Sequence, residues 1–223
     1  MSAAKLKKPL APNFMTASLW ETTYGEDYEK WRKERWNSSP KATQDFLNHV
    51  LPLGRVEGEK RLLPHQAEAL QRTIYSFEKL NLNPIMATLA TGTGKTVVMA
   101  SVIAWMACQA DAVQKFLLFC PNTIVRDRLR RDFESLSVFR EFNLFPKAYG
   151  KCLKGLSCTI VDGFKNFTNL VGKNLIVANR HQFQSGYQGG HDHLAFLQQD
   201  GGKLAVFNDE AHNTRGDEYS RNL

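Results

Sequence analysis

Ala90-Thr91-Gly92-Thr93-Gly94-Lys95-Thr96 lies between an apolar run, residues 84–89, and a helical pattern, residues 95–108, and it decides how the rest of the chain is read. A triphosphate brings several negative charges that must be met without steric crowding. Gly92 and Gly94 carry no Cβ, so the turn can wrap phosphates and aim backbone N–H groups at them. A helix opening at Lys95 adds the partial positive charge of its N-terminus. The Lys95 ammonium can reach the β- and γ-phosphates, and the Thr96 hydroxyl is placed to ligate Mg²⁺. Ala90 to Thr96 is therefore the candidate cradle for a nucleoside triphosphate. The strict pattern GxxxxGK[ST] would put glycine where this chain has Leu89.

Outward from this turn, apolar runs alternate with helical segments. Residues 64–80, 95–108 and 122–136 read as helices. Residues 84–89, 115–120, 158–161, 175–178 and 204–207 read as short strands, and KFLLFC at 115–120 is apolar enough to be covered on both faces. Strand and helix in alternation predict an α/β domain with a mainly parallel sheet and helices on both faces. Ligands of such sheets sit at the carboxyl ends of the strands.

A second motif stands where that rule requires it. Asn208-Asp209-Glu210-Ala211-His212 follows the apolar run 204–207. Alone, an Asp-Glu pair is most often a solvated turn. At a strand end downstream of a phosphate loop it suits hydrolysis. Asp209 can hold Mg²⁺ through its water shell, and Glu210, pointing another way, can orient and deprotonate a water.

ATGTGKT and DEAH together resemble the superfamily 2 helicases and translocases, whose first motor domain is a RecA-like P-loop NTPase. Residues 61–70 resemble the adenine-reading element of these motors, with Gln66 placed 95 − 66 = 29 positions before Lys95. Residues 120–127 resemble the first nucleic-acid-contacting motif, and residues 176–183 the next block. Asn208 before the DEAH, with the Pro-Asn and Asn-x-His-x-Phe patterns, is most similar to the restriction subunit of type III restriction enzymes. The resemblance implies that Gln66 meets adenine, that Glu210, Lys95, Asp209 and His212 serve hydrolysis, and that His212 links the γ-phosphate to the rest of the motor. It also implies that Thr123 and Arg126 touch nucleic acid. Such contacts go to phosphates, so binding of duplex DNA should be salt-sensitive and indifferent to sequence.

The implied partners are DNA, a second RecA-like domain and a methyltransferase or specificity subunit. Only eleven positions follow His212 (223 − 212 = 11), so the second domain and its arginine fingers are expected outside this chain. Such fingers contribute about 10³–10⁵ in rate; alone, the chain should bind ATP weakly and hydrolyse it slowly. Two other readings stay open, a non-catalytic nucleotide-gated binding module and an RNA helicase, because phosphate contacts distinguish polymers poorly.

The chain divides into residues 1–58, a basic arm with a helical extension, and residues 59–223, the motor domain. Residues 26–37 read as a helix with Tyr24, Tyr28, Trp31 and Arg35 on one face, a stripe that could stack on bases or pack against the main domain. Ser39-Pro40 reads as an N-cap with proline in the first turn of a helix reaching Val50. In the helix after Cys120, Arg126 and Arg130 share a face and Asp127 is spaced to pair with Arg131.

Bulk composition agrees. At 223 residues and 43% hydrophobic content the chain supports one core and a small appendage. A net charge of +7 favours an acidic partner such as nucleic acid. Four cysteines without a CxxC pair fit a reducing compartment. The longest apolar stretch, 97–107, falls short of the roughly 20 residues of a membrane span. Lys5, Lys7 and Lys8 are followed by Pro9 and Pro12, not by the apolar core of a signal peptide. A cytoplasmic location follows as the expectation. His191-Asp192-His193 reads as a polar loop without further metal ligands.

Overall fold

The computed structural model describes residues 17–51, 60–109, 113–161, 174–179, 182 and 203–209. In chain order the elements are α1 (Ala17–Lys33), α2 (Lys41–Val50), α3 (Pro64–Glu78), α4 (Lys95–Ala107), β1 (Lys115–Cys120), α5 (Thr123–Phe133), α6 (Ser137–Glu141), α7 (Gly150–Gly155), β2 (Cys158–Val161), β3 (Leu175–Asn179) and β4 (Leu204–Asn208). A 3-10 turn, Lys147–Tyr149, leads into α7. The strands form one sheet in the order β2-β3-β1-β4, and every pairing is parallel. The α/β class expected from the alternation is what the chain adopts.

β1 sits inside the sheet because its sequence allows nothing else. Phe116 faces Leu175 on one side and Ala205 on the other, and Leu118 faces Val177 and Phe207. Side chains alternate along a strand. Phe116, Leu118 and Cys120 thus join one apolar cluster, and Leu117 and Phe119 a second one with Val161, Ile176 and Ala178. All seven described helices contribute to the first cluster. Each large side chain fully withdrawn from water there stabilises the fold by about 1.5–3 kcal/mol.

The helical extension belongs to this core. Tyr28 and Trp31 of α1 meet the Tyr75 ring of α3 edge-on, at centroid separations of 5.4 and 5.3 Å. The stripe therefore packs inward and offers no free face for bases. Trp105 of α4 donates its indole N–H to Thr43 of α2 at 2.9 Å, and Thr43 in turn donates to Glu78 of α3 at 2.5 Å. Three helices are thereby locked around one buried hydroxyl.

Four local expectations are corrected. Residues 84–89 are not a strand: the run lies outside the four-stranded sheet and is largely exposed. An apolar run becomes a strand only where a neighbour supplies the ladder, and no described element pairs with it. The first helix spans Ala17–Lys33, not 26–37, and Arg35 and Trp36 beyond it take positive φ values of 51° and 60°. Arg35 thus leaves the stripe, while burial of the Trp36 ring offsets the strain of its backbone. Ser39 does not cap α2, whose N-cap is Pro40; its hydroxyl accepts the Trp31 indole N–H at 2.9 Å. Asp127 pairs with Arg126 at 3.2 Å rather than with Arg131.

Trp31→Ala is expected to lower the free energy of unfolding by about 3–5 kcal/mol, through the emptied volume and the stranded Ser39 hydroxyl. Urea denaturation measures this. A loss below about 1 kcal/mol would show that α1 does not share the core.

Candidate nucleotide site

The phosphate-loop stretch forms a turn that runs straight into α4. Gly94 is the N-cap of α4 at φ 82°, ψ 42°, and Gly92 also has φ 82°. Both are left-handed, the region that costs a residue with a Cβ about 1–2 kcal/mol. Thr93 closes the turn by donating its hydroxyl to the Ala90 carbonyl at 2.7 Å. The Gly94 carbonyl accepts the Val97 N–H at 2.9 Å and starts the helix. Thr91 and Gly92 are exposed, and a Cβ built at Gly92 would meet nothing within 4 Å, so that side of the loop is open to a ligand. Thr96 is buried on the first turn of α4.

α3 clamps the loop from behind. Gln66 is 4% exposed and has both ends of its amide engaged. Its Oε1 accepts the Leu63 N–H at 2.9 Å, and its Nε2 donates to the Thr93 carbonyl at 2.8 Å. His65, the preceding residue, brings its Nε2 to the same carbonyl at 2.9 Å. A Cβ on Gly94 would stand 2.3 Å from Gln66 Nε2. Glycine is thus required at 94 twice, for its φ and for the approach of Gln66. The amide expected to read adenine is thus anchored to the chain's own backbone, with one N–H and one Oε1 lone pair left over.

The carboxyl edge of the sheet holds the other half of the candidate set. Asp209 continues β4 by one step, donating its N–H to the Phe119 carbonyl at 3.0 Å, and is 8% exposed. Beside it, Cys120 ends β1 and pairs in register with Asn179, the end of β3. Asn179 is buried and donates its N–H to Gln182 Oε1 at 2.8 Å, while its own Oδ1 is buried without a hydrogen-bond partner. Burial pushes the Cys120 thiol up to about 12; the Asp209 carboxylate adds to the rise and Arg126 opposes it. The thiol therefore feels a carboxylate and a guanidinium at this edge.

α5 starts from the same edge. Asn122 caps it by accepting the Val125 N–H at 3.0 Å. Thr123 and Ile124 are exposed on its first turn, whereas the Arg126 side chain is only 13% exposed and turned against Asp127. Of the two residues expected on a nucleic-acid track, Thr123 faces outward and Arg126 is folded in.

The structure thus describes Gln66, Ala90 to Thr96, Thr123, Arg126 and Asp209. Glu210, His212, His191 and His193 lie outside the described residues. Reading motifs one at a time missed His65, whose contact with Thr93 spans 28 positions, and the Asn179–Gln182 bond, whose spacing of three lies inside residues 176–183. The donor set suits magnesium with a nucleotide. Thr96 and Asp209 offer hard oxygens, and Mg²⁺ binds through few protein ligands and completes its shell with water and phosphate. Among the described residues no three His, Cys, Asp or Glu side chains gather into a metal cage.

A family model described as type III restriction enzyme, res subunit, matches residues 59–223. No curated protein and no solved structure matches the chain.

Two outcomes follow from this geometry. Gly94→Ala adds left-handed strain and displaces Gln66 from two hydrogen bonds, a combined loss of about 2–4 kcal/mol that a urea titration would read. Cys120, with its raised pKa, stays a thiol at pH 8 and should resist iodoacetamide in the folded chain. In denaturant its pKa returns to about 8.5 and peptide mapping should show rapid alkylation.

Proposed function

The chain belongs to the family of type III restriction enzyme res subunits, and from that membership we propose that it is the ATP-binding first motor domain of a DNA-dependent ATPase, a helicase or translocase of a restriction or phage-defence system. The family is one of ATP-dependent, helicase-like motors, and the all-parallel α/β sheet is that of a RecA-like domain. The observation that carries the proposal is the loop from Ala90 to Gly94, held with two left-handed glycines at the N-terminus of a buried helix and open on its far side. Backbone N–H groups, a helix N-terminus and Lys95 then act on one anion.

In this reading Lys95 meets the β- and γ-phosphates, and Gln66 meets the adenine edge. Thr96 and Asp209 would hold Mg²⁺, which when bound neutralises charge on the phosphate oxygens. Glu210 orients and deprotonates the attacking water, taking its proton, and His212 carries the state of the site to the rest of the motor. Thr123 and Arg126 contact DNA phosphates, with Arg126 first exchanging Asp127 for the phosphate. A second RecA-like domain completes the catalytic site, and a methyltransferase subunit supplies sequence recognition. The burial of Asp209 next to a strand carbonyl supports its role, since a carboxylate held in place there presents a fixed charge to a metal. A cytoplasmic location accords with the absence, among the described residues, of a helix long and apolar enough to cross a membrane.

Binding of a fluorescent ATP analogue with Mg²⁺ tests the proposal. The wild-type chain should bind, and Lys95→Ala should weaken binding by more than about tenfold, the loss of one charged hydrogen bond at 1.5–3 kcal/mol or more. Glu210→Gln should leave the affinity intact and reduce turnover by about 10²–10⁴. A wild-type chain that neither binds the analogue nor gains thermal stability from it would overturn the assignment.

A further inference from the structure

Two donors from one helix converge on a single carbonyl of the phosphate loop. His65 and Gln66, the second and third residues of α3, both reach the Thr93 oxygen, at 2.9 and 2.8 Å. A carbonyl oxygen has two lone pairs and can accept both. The peptide unit between Thr93 and Gly94 is planar and trans, so its C=O and N–H point in opposite directions. Holding the oxygen towards α3 therefore turns the Gly94 N–H away from α3. Among the described residues no backbone acceptor takes that N–H. It is a donor left for a ligand.

We propose that His65 is a positioning residue for the phosphate loop: its ring N–H pins the Thr93 carbonyl and so keeps the Gly94 N–H aimed at the β-phosphate of a bound nucleotide. The proposal rests on the nucleotide reading above and adds to it a residue with no place in the phosphate-loop or DEAH motifs. Two donors on one oxygen would be redundant if both stayed there. Gln66, however, divides its amide between Leu63 and Thr93, and a base that takes the remaining N–H and lone pair would draw that amide towards itself. His65 is the donor on Thr93 that a base does not draw upon. Since it is exposed and makes this contact from its ring tip, changing it should leave the core intact.

The test compares nucleotides with and without a β-phosphate, by competition against a fluorescent nucleotide in Mg²⁺. His65→Phe keeps the ring and loses the donor; His65→Gln restores an N–H at similar reach. Phe at 65 should weaken ADP by about 2–10-fold, the effect of one neutral hydrogen bond, and leave AMP unchanged. Gln at 65 should return ADP affinity to within about twofold of wild type. The urea midpoint of both variants should match wild type. Equal ADP affinity in wild type and His65→Phe would overturn the role of His65 and leave the nucleotide assignment standing. Equal losses for ADP and AMP would also overturn it, because the effect would then not pass through the loop. A wild-type chain that binds neither nucleotide would overturn both.

Discussion

The left-handed turn at Gly94 is the constraint from which the rest of the site follows. A backbone at φ 82° directly before a helix exposes N–H groups at the helix start. It is sustained because the carbonyl before it is held from outside the turn. Without the two side chains on Thr93, the loop would be free to rotate that peptide and spend its N–H groups on itself or on water. With them, the geometry exists before any ligand arrives. Preorganised donors bind anions with little reorganisation, so in the proposed site the hydrogen bonds to Thr93 would act on affinity although they touch no phosphate.

Those hydrogen bonds depend in turn on how α3 and α4 are packed. α3 buries Leu70, Ile74 and Tyr75, and α4 buries Val102, Ile103 and Trp105, in the same cluster as Phe116 and Leu118 of the central strand. The extension adds to this packing. Tyr28 and Trp31 brace Tyr75, and the Trp105–Thr43–Glu78 chain joins α4, α2 and α3. Trp31 therefore shares a core with the helix that carries His65 and Gln66. The helices α1 and α2 thus share one core with the helices and the sheet that follow.

What could be read from the sequence was what local chemistry dictates. The loop glycines and the helix opening at Lys95 were legible because a left-handed turn directly before a helix favours glycine. The strands 115–120, 158–161 and 204–208 were legible because apolar runs bounded by turns fit a covered sheet, and their observed limits differ by at most a residue. Features set at long range were not legible. Ser39 has the residue type of a helix cap, but its hydroxyl is taken by an indole eight positions earlier. Asp127 is spaced to pair with Arg131, but it pairs with the neighbouring Arg126, whose side chain is mostly buried. No local pattern brings His65 to Thr93.

The failure of residues 84–89 to form a strand shows how this loop is held. In a sheet the ladder of the preceding strand would fix where the phosphate turn begins. Here the run into the turn is exposed and outside the sheet, and β4 has only β1 as a described neighbour. The loop is still formed, with its glycines left-handed and its first helical bond in place. Its geometry therefore comes from the helix side, through Gln66, His65 and the apolar seat of α4, and not from a ladder under the run that leads into it. A change that moves α3 relative to α4 acts on the phosphate turn directly. A change in residues 84–89 reaches it only through the chain. In this domain the element implied in reading the base also shapes the turn implied in holding the phosphates, so the two ends of a nucleotide would be felt through one helix.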